Sequence, residues 1–204
     1  LSEGLKHNKS VLRFVLVNEN IENKGGLYLS NIFEHNNTIK KFELVTCNVK
    51  DSAYCHIFSA LEQNTGLDKL NIVDGFLGTE AWKTLGEMFK VNKTIKSFKY
   101  SENRKEEFEY AHNIKEAFNV ETELEPTYIV YFFDSLKYNT GLEKITIDKI
   151  ILDDGNTKRL YKCMKENITV RNIKLRDIIS VFDAKYNKYV EKILINKKTL
   201  QSFT

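Results

Sequence analysis

The chain has 204 residues, 42% of them hydrophobic, and its 31 basic and 28 acidic side chains leave a formal net charge of +3. So small an imbalance lacks the strongly basic footprint of a nucleic-acid binder, and no apolar run approaches the roughly 18 residues of a membrane-spanning helix. The length and ordinary apolar content suit one continuous core rather than two separate ones.

From its first residues the chain repeats a phrase: an asparagine, an aliphatic residue three positions on, and apolar residues at plus six and plus eight. It reads Asn8…Val11…Phe14-x-Leu16, Asn36…Ile39…Phe42-x-Leu44, Asn64…Leu67…Leu70-x-Ile72 and Asn92…Ile95…Phe98-x-Tyr100. It resumes as Asn139…Leu142…Ile145-x-Ile147 and Asn167…Val170…Ile173-x-Leu175. The spacing between asparagines is 28 throughout, except for 47 between Asn92 and Asn139. A fixed period of this size is the signature of a solenoid.

Upstream of each asparagine, apolar residues stand seven and three positions before it: Leu1 and Leu5, Leu29 and Phe33, Ile57 and Leu61, Leu85 and Phe89, Phe132 and Leu136, Leu160 and Met164. A separation of four keeps them on one helical face, so each unit begins with an amphipathic helix of about three turns. The asparagine closes that helix and is expected in the left-handed conformation that commonly ends one. The alternation at plus six and plus eight is the period of a short half-buried strand. Each unit is thus helix, turn, strand, loop, and no unit can bury its apolar face alone. The fold class that follows is α/β, a right-handed solenoid with a parallel sheet on its concave side and helices on its convex side.

Segment Ile39-x-x-Phe42-x-Leu44-x-x-Cys47-x-Val49 resembles the leucine-rich repeat of the ribonuclease-inhibitor type. Only Cys47 and Asn103 fill its Asn-or-Cys position; Glu19, Gly75, Ile150 and Ile178 do not. Irregular outer loops are therefore expected where that ladder is missing.

The excess of 19 residues between Asn92 and Asn139 falls between about Glu102 and Glu125. Its preferred reading is an insertion with an added helix over Glu106 to Phe118; the alternative is a degenerate repeat with a strand at Val120 to Leu124. Pro126 suits the first turn of a helix from Thr127 to Tyr138. At the far end Thr199-Leu200-x-x-Phe203 matches the strand phrase once more. The whole span 1–204 reads as one domain of six to seven repeats. Both ends fall inside repeat units, so capping repeats are expected beyond them.

No catalytic, cofactor-binding or metal site is expected. His7 and His35 share one repeat position, His56 and His112 lack acidic or cysteine partners at useful spacing, and nine glycines form no phosphate-cradling loop. Cys47, Cys55 and Cys163 are odd in number without a C-x-x-C pair, which suits buried small hydrophobes in a reducing, cytoplasmic setting. Four glycosylation sequons, at Asn8, Asn36, Asn92 and Asn167, are the repeat phrase itself.

If plus six and plus eight point inward, plus five, seven and nine face outward on the concave sheet. The plus-five column is Arg13, Lys41, Lys69, Ser97, Lys144 and Asn172; plus seven is Val15, Glu43, Asn71, Lys99, Thr146 and Lys174. Plus nine is Val17, Val45, Val73, Ser101, Asp148 and Arg176. A valine stripe beside a broken basic column has the composition of a protein-binding patch. We expect a monomeric, non-enzymatic module that binds another protein, an acidic one by charge, through this face.

Segments Asn36-Asn-Thr-Ile-Lys-Lys-Phe-Glu-Leu-Val and Met88-Phe-Lys-Val-Asn-Lys-Thr-Ile-Lys-Ser-Phe-Lys-Tyr look like the leucine-rich domain of tropomodulins and leiomodins, best over Leu29 to Asn103. That resemblance implies an actin partner and a role at filament pointed ends, but no particular contact residue. Ran GTPase-activating proteins use the same repeat type, which implies a third option with Arg13 or Arg104 as the arginine that reaches the GTPase.

Overall fold

The computed structural model describes residues 2–102, 128–152, 154–180, 189, 191–193 and 200–203. The chain begins with α1 (Ser2–His7), β1 (Arg13–Val17), β2 (Asn20–Ile21), α2 (Asn23–His35), β3 (Lys41–Val45), β4 (Asn48–Val49) and α3 (Asp51–Gln63). It continues with β5 (Lys69–Gly75), α4 (Thr79–Val91) and β6 (Ser97–Glu102). Next come α5 (Val130–Leu136), β7 (Lys144–Asp148), β8 (Ile151–Leu152) and α6 (Asp154–Glu166), then β9 (Asn172–Arg176), β10 (Ile179–Ser180) and β11 (Ser202–Phe203).

The main strands form one sheet in the order β1-β3-β5-β6-β7-β9-β11. All pairings are parallel, and they match equivalent repeat positions: Phe14 with Phe42, Phe42 with Leu70, Leu70 with Phe98, Phe98 with Ile145, Ile145 with Ile173. The final phrase joins as expected, with Phe203 opposite Ile173. This is the α/β leucine-rich-repeat solenoid that the period predicts.

The core is the set of periodic apolar positions. Phe42, Leu70 and Phe98 at plus six are fully buried, as are Ile72, Tyr100 and Ile147 at plus eight and Ile57, Leu85 and Phe132 from the helices. Aromatic rings carry the packing from unit to unit. Phe42 lies 4.8 Å from Phe33 and 5.5 Å from Phe14, and Phe98 lies 5.2 Å from Phe89 and 4.9 Å from Phe132.

That last contact spans the long gap in the period. Strand β6 pairs directly with β7, and α5 follows α4 closely enough that a Cβ on Gly86 would stand 2.6 Å from the Tyr131 carbonyl oxygen. The stack is therefore continuous from the fourth phrase to the fifth. Both readings of 102–125, the helix at 106–118 and the strand at 120–124, lie outside the described residues, as does Pro126.

The asparagines do not close their helices in the left-handed conformation. Asn36, Asn64 and Asn92 are extended, with φ of −103°, −69° and −66°. Their side chains are instead buried rungs of a ladder. Asn64 Nδ2 donates to the carbonyls of Phe33 and Asn36, 2.8 and 2.9 Å away, while its Oδ1 accepts from the amides of Gly66 and Leu67. Asn92, Asn139 and Asn167 repeat the pattern on the preceding unit, Asn139 reaching across the gap to Phe89 and Asn92. An extended backbone aims the amide inward at the orphan carbonyls of the neighbouring turn, which a left-handed residue could not do while starting a strand.

Left-handed residues do recur, at the other end of β1, β3, β5, β7 and β9. Asn18, Thr46, Asp74, Lys149 and Asp177 have φ between 49° and 56°. The outer loops are also more regular than expected: β2 pairs with β4 and β8 with β10, so backbone bonds order them both beside Cys47 and where Ile150 and Ile178 leave the ladder position apolar. Where Cys47 fills the ladder position, its thiol lies 3.4 Å from the Leu16 carbonyl.

Candidate functional site

The parallel pairing brings residues 28 positions apart side by side, so the helix-free face of the sheet is built of columns that no short stretch of sequence contains. Equivalent plus-five, plus-seven and plus-nine positions stand side by side, but access to them is not uniform. Lys69, Lys144 and Arg176 are exposed; Lys41, Asn71, Lys99, Lys174, Val15, Val45 and Val73 are half-buried.

Glu43 departs from its expected place on an open surface, because it is buried at 7% exposure. It anchors three side chains, Arg13, Lys41 and Asn71, into one polar cluster. Arg13 donates to Oε1 from Nε at 2.7 Å and from its terminal nitrogen at 2.6 Å. Lys41 Nζ stands 2.9 Å from Oε2, and Asn71 Nδ2 donates to the same oxygen at 2.8 Å. Burial raises the carboxyl's pKa, but the bonds from Lys41, Asn71 and Arg13 outweigh it and leave Glu43 below its ordinary value.

Two of the cations in the expected basic column are thus already committed. Arg13 has its guanidinium on Glu43; Arg104 lies outside the described residues. The cations of this face with no ion pair among the described residues are Lys69, Lys144, Lys174 and Arg176. Lys99 lies at 3.9 Å from Asp148.

The valine stripe shrinks as well. Val17 is 51% exposed at the open edge of the sheet, whereas Val45 and Val73 are flanked by strands on both sides and half-buried. Ser101, Thr146 and Asp148, expected on the open face, are buried. Burial is the main influence on Asp148 and raises its carboxyl pKa, with Lys99 and Arg176 offsetting it in part.

The rim where helices end and strands begin holds a feature that the strand register did not reveal. Val91, Tyr138 and Ile168 are 44%, 56% and 73% exposed on three consecutive turns of the asparagine ladder. Part of its signal was present in the column one residue before each asparagine, which reads His7, His35, Gln63, Val91, Tyr138, Glu166 and is apolar at the fourth and fifth units; Ile168 stands in the column one residue after the asparagine.

The remaining polar candidates sit apart. Cys47 and Cys163 are buried and Cys55 half-buried, and the Cys163 thiol is pushed up to about 11, mainly by burial. Among the described residues no group of three His, Cys, Asp or Glu side chains gathers to hold a metal, and no helix is long and apolar enough to cross a membrane. Of the four sequons, Asn36, Asn92 and Asn167 have amides buried in the ladder. A glycan on any of them would break the stack.

No family model matches the chain, and no curated protein matches it by sequence. Among solved structures it is similar to the Caenorhabditis elegans tropomodulin C-terminal domain, with a TM-score of 0.53 at 14% identity over 96% of this chain and 90% of that one. It is also similar to leiomodin-1 actin-binding site 2, with a TM-score of 0.57 at 16% identity over 96% of this chain and 86% of that one. At such identities the likeness establishes the fold, the tropomodulin and leiomodin type of leucine-rich-repeat domain.

Proposed function

We propose that the chain is a protein-binding module whose concave sheet engages a partner bearing acidic side chains. The observation that supports this is the uneven charge of that face. Glu43 pairs with Arg13 and Lys41, so Lys69, Lys144, Lys174 and Arg176 remain as a cationic surface on the fifth and later strands of the chain. Unpaired surface cations of one sign steer an oppositely charged partner and raise its association rate. The reading is of a binding module rather than an enzyme, since Cys47 and Cys163 are buried and the clustered carboxylate Glu43 is tied up in ion pairs. Free cysteines in all three positions support a reducing, cytoplasmic setting.

The test is a pair of charge reversals at exposed positions, Lys69→Glu with Lys144→Glu. Wild-type chain immobilised in cell lysate should retain a partner that salt releases, and the double variant should lose it while melting at the same temperature. Equal retention by both would mean that the basic face is merely solvated. Lys41→Glu is unsuitable here, because it would set a second carboxylate against buried Glu43.

A second reading is an actin-binding module. It rests on the neighbours, one a tropomodulin domain and the other an actin-binding site of leiomodin-1. Titration of purified monomeric actin with the chain decides it, and lack of complex at micromolar concentration would remove actin from consideration.

A further inference from the structure

We propose that the asparagine rim of the fourth to sixth repeats is a second docking surface, which takes an acidic amphipathic polypeptide segment. Its core is the exposed trio Val91, Tyr138 and Ile168. They lie on adjacent turns, since Asn139 Nδ2 donates to the Asn92 carbonyl at 3.0 Å and Asn167 Nδ2 to the Asn139 carbonyl at 3.1 Å. The repeat does not require apolar residues there: the first three units fill the same two columns with His7, His35 and Gln63, and with Lys9, Asn37 and Thr65. Three neighbouring departures toward apolar side chains, left open to water, are the mark of a contact surface.

The border of the trio selects the partner's charge. Lys93 Nζ donates to the Lys90 and Tyr138 carbonyls at 2.5 and 2.8 Å, which pins an ammonium group beside Tyr138. Lys137 lies 5.7 Å from the centre of the Tyr138 ring. Two carboxylates of this rim are already occupied, Glu87 by Lys90 at 2.6 Å and Glu166 by Lys137 at 3.1 Å. Lys93 and Lys96 then have no acidic partner among the described residues. A segment that covered the trio without bringing carboxylates would desolvate these ammonium groups unpaired, and a basic segment would be repelled. An acidic amphipathic segment satisfies both the apolar knobs and their cationic border.

The test uses three short fluorescent peptides of equal length, one of Glu and Leu in amphipathic order, one of Lys and Leu, and one of Glu and Ser, read by anisotropy. The Glu/Leu peptide should bind about tenfold or more tightly than the other two. Tyr138→Ser with Ile168→Ser should weaken it by about tenfold, and Lys96→Glu, which leaves the apolar trio intact, should weaken it severalfold. Lys69→Glu with Lys144→Glu, on the concave face, should leave its affinity within about twofold. Equal binding of all three peptides, or unchanged affinity in the rim variants, would overturn the proposal. A loss confined to the concave variant would also overturn it and would credit the sheet face instead.

Discussion

The ladder asparagine is the residue on which each repeat turns. Asn64 makes four hydrogen bonds with buried partners, two as donor to the preceding unit and two as acceptor from its own turn. Asn64→Ala strands two carbonyls and two amides in the interior, at about 1 to 3 kcal/mol each before relaxation. We expect a net loss of about 4 kcal/mol in urea unfolding, and a loss under about 1 kcal/mol would mean that water substitutes freely for the side chain.

The two buried carboxylates of the sheet face should respond to pH in opposite senses. Glu43 lies below its ordinary value of 4.5, so its stabilising contribution is complete above that pH and disappears as pH falls through the lowered value. Asp148 lies above its ordinary value of 3.8, so ionising it disfavours the fold, and stability falls as pH rises from that value through the raised one. Glu43→Gln should therefore lower the neutral-pH urea midpoint and flatten its decline in acid. Asp148→Asn should leave the midpoint unchanged or raise it. Matching shifts in the two variants would contradict this account.

At the scale of elements, the helices and strands follow directly from spacing, because positions minus seven, minus three, plus six and plus eight all face one core. The turn chemistry does not. Asparagine suits a left-handed cap, a turn rung and a strand terminus alike, and only the neighbouring unit's carbonyls select the rung. The left-handed position falls at the strand ends, where Asn18, Asp74 and Asp177 are residues that tolerate it and Thr46, β-branched, is not. Thr46 is exposed, and its backbone amide, not its side chain, bonds the Val73 carbonyl at 2.8 Å. Thr46→Asn should relieve the strain and raise stability by about 1 kcal/mol in chemical denaturation. No gain would show that the local backbone already accommodates the branched side chain.

For the whole molecule, the question is whether the long spacing between Asn92 and Asn139 serves the stack. Strands β6 and β7 pair in full register, Asn139 completes the ladder on Asn92, and Phe132 packs on Phe98. We propose that the extra residues between Glu102 and Glu125 are an insertion the solenoid does not need. Deleting 19 of them, which restores the spacing of 28, should give a soluble chain with one cooperative unfolding transition. An aggregated or non-cooperative product would assign the segment a structural part. By itself the sequence determined the repeat, its helix and strand faces, the parallel α/β solenoid and the return of the strand phrase at Phe203, because these depend on periodicity within one unit. Only the tertiary structure decided that Arg13 and Lys41 close on Glu43, that Asn64 and its counterparts are rungs, and that Val91, Tyr138 and Ile168 are exposed on adjacent turns. Apart from the Lys41–Glu43 contact, which lies within one strand, those outcomes depend on what the adjacent unit places across a gap of a few ångströms, and a neighbour some 28 or 47 residues away leaves no local mark in the chain.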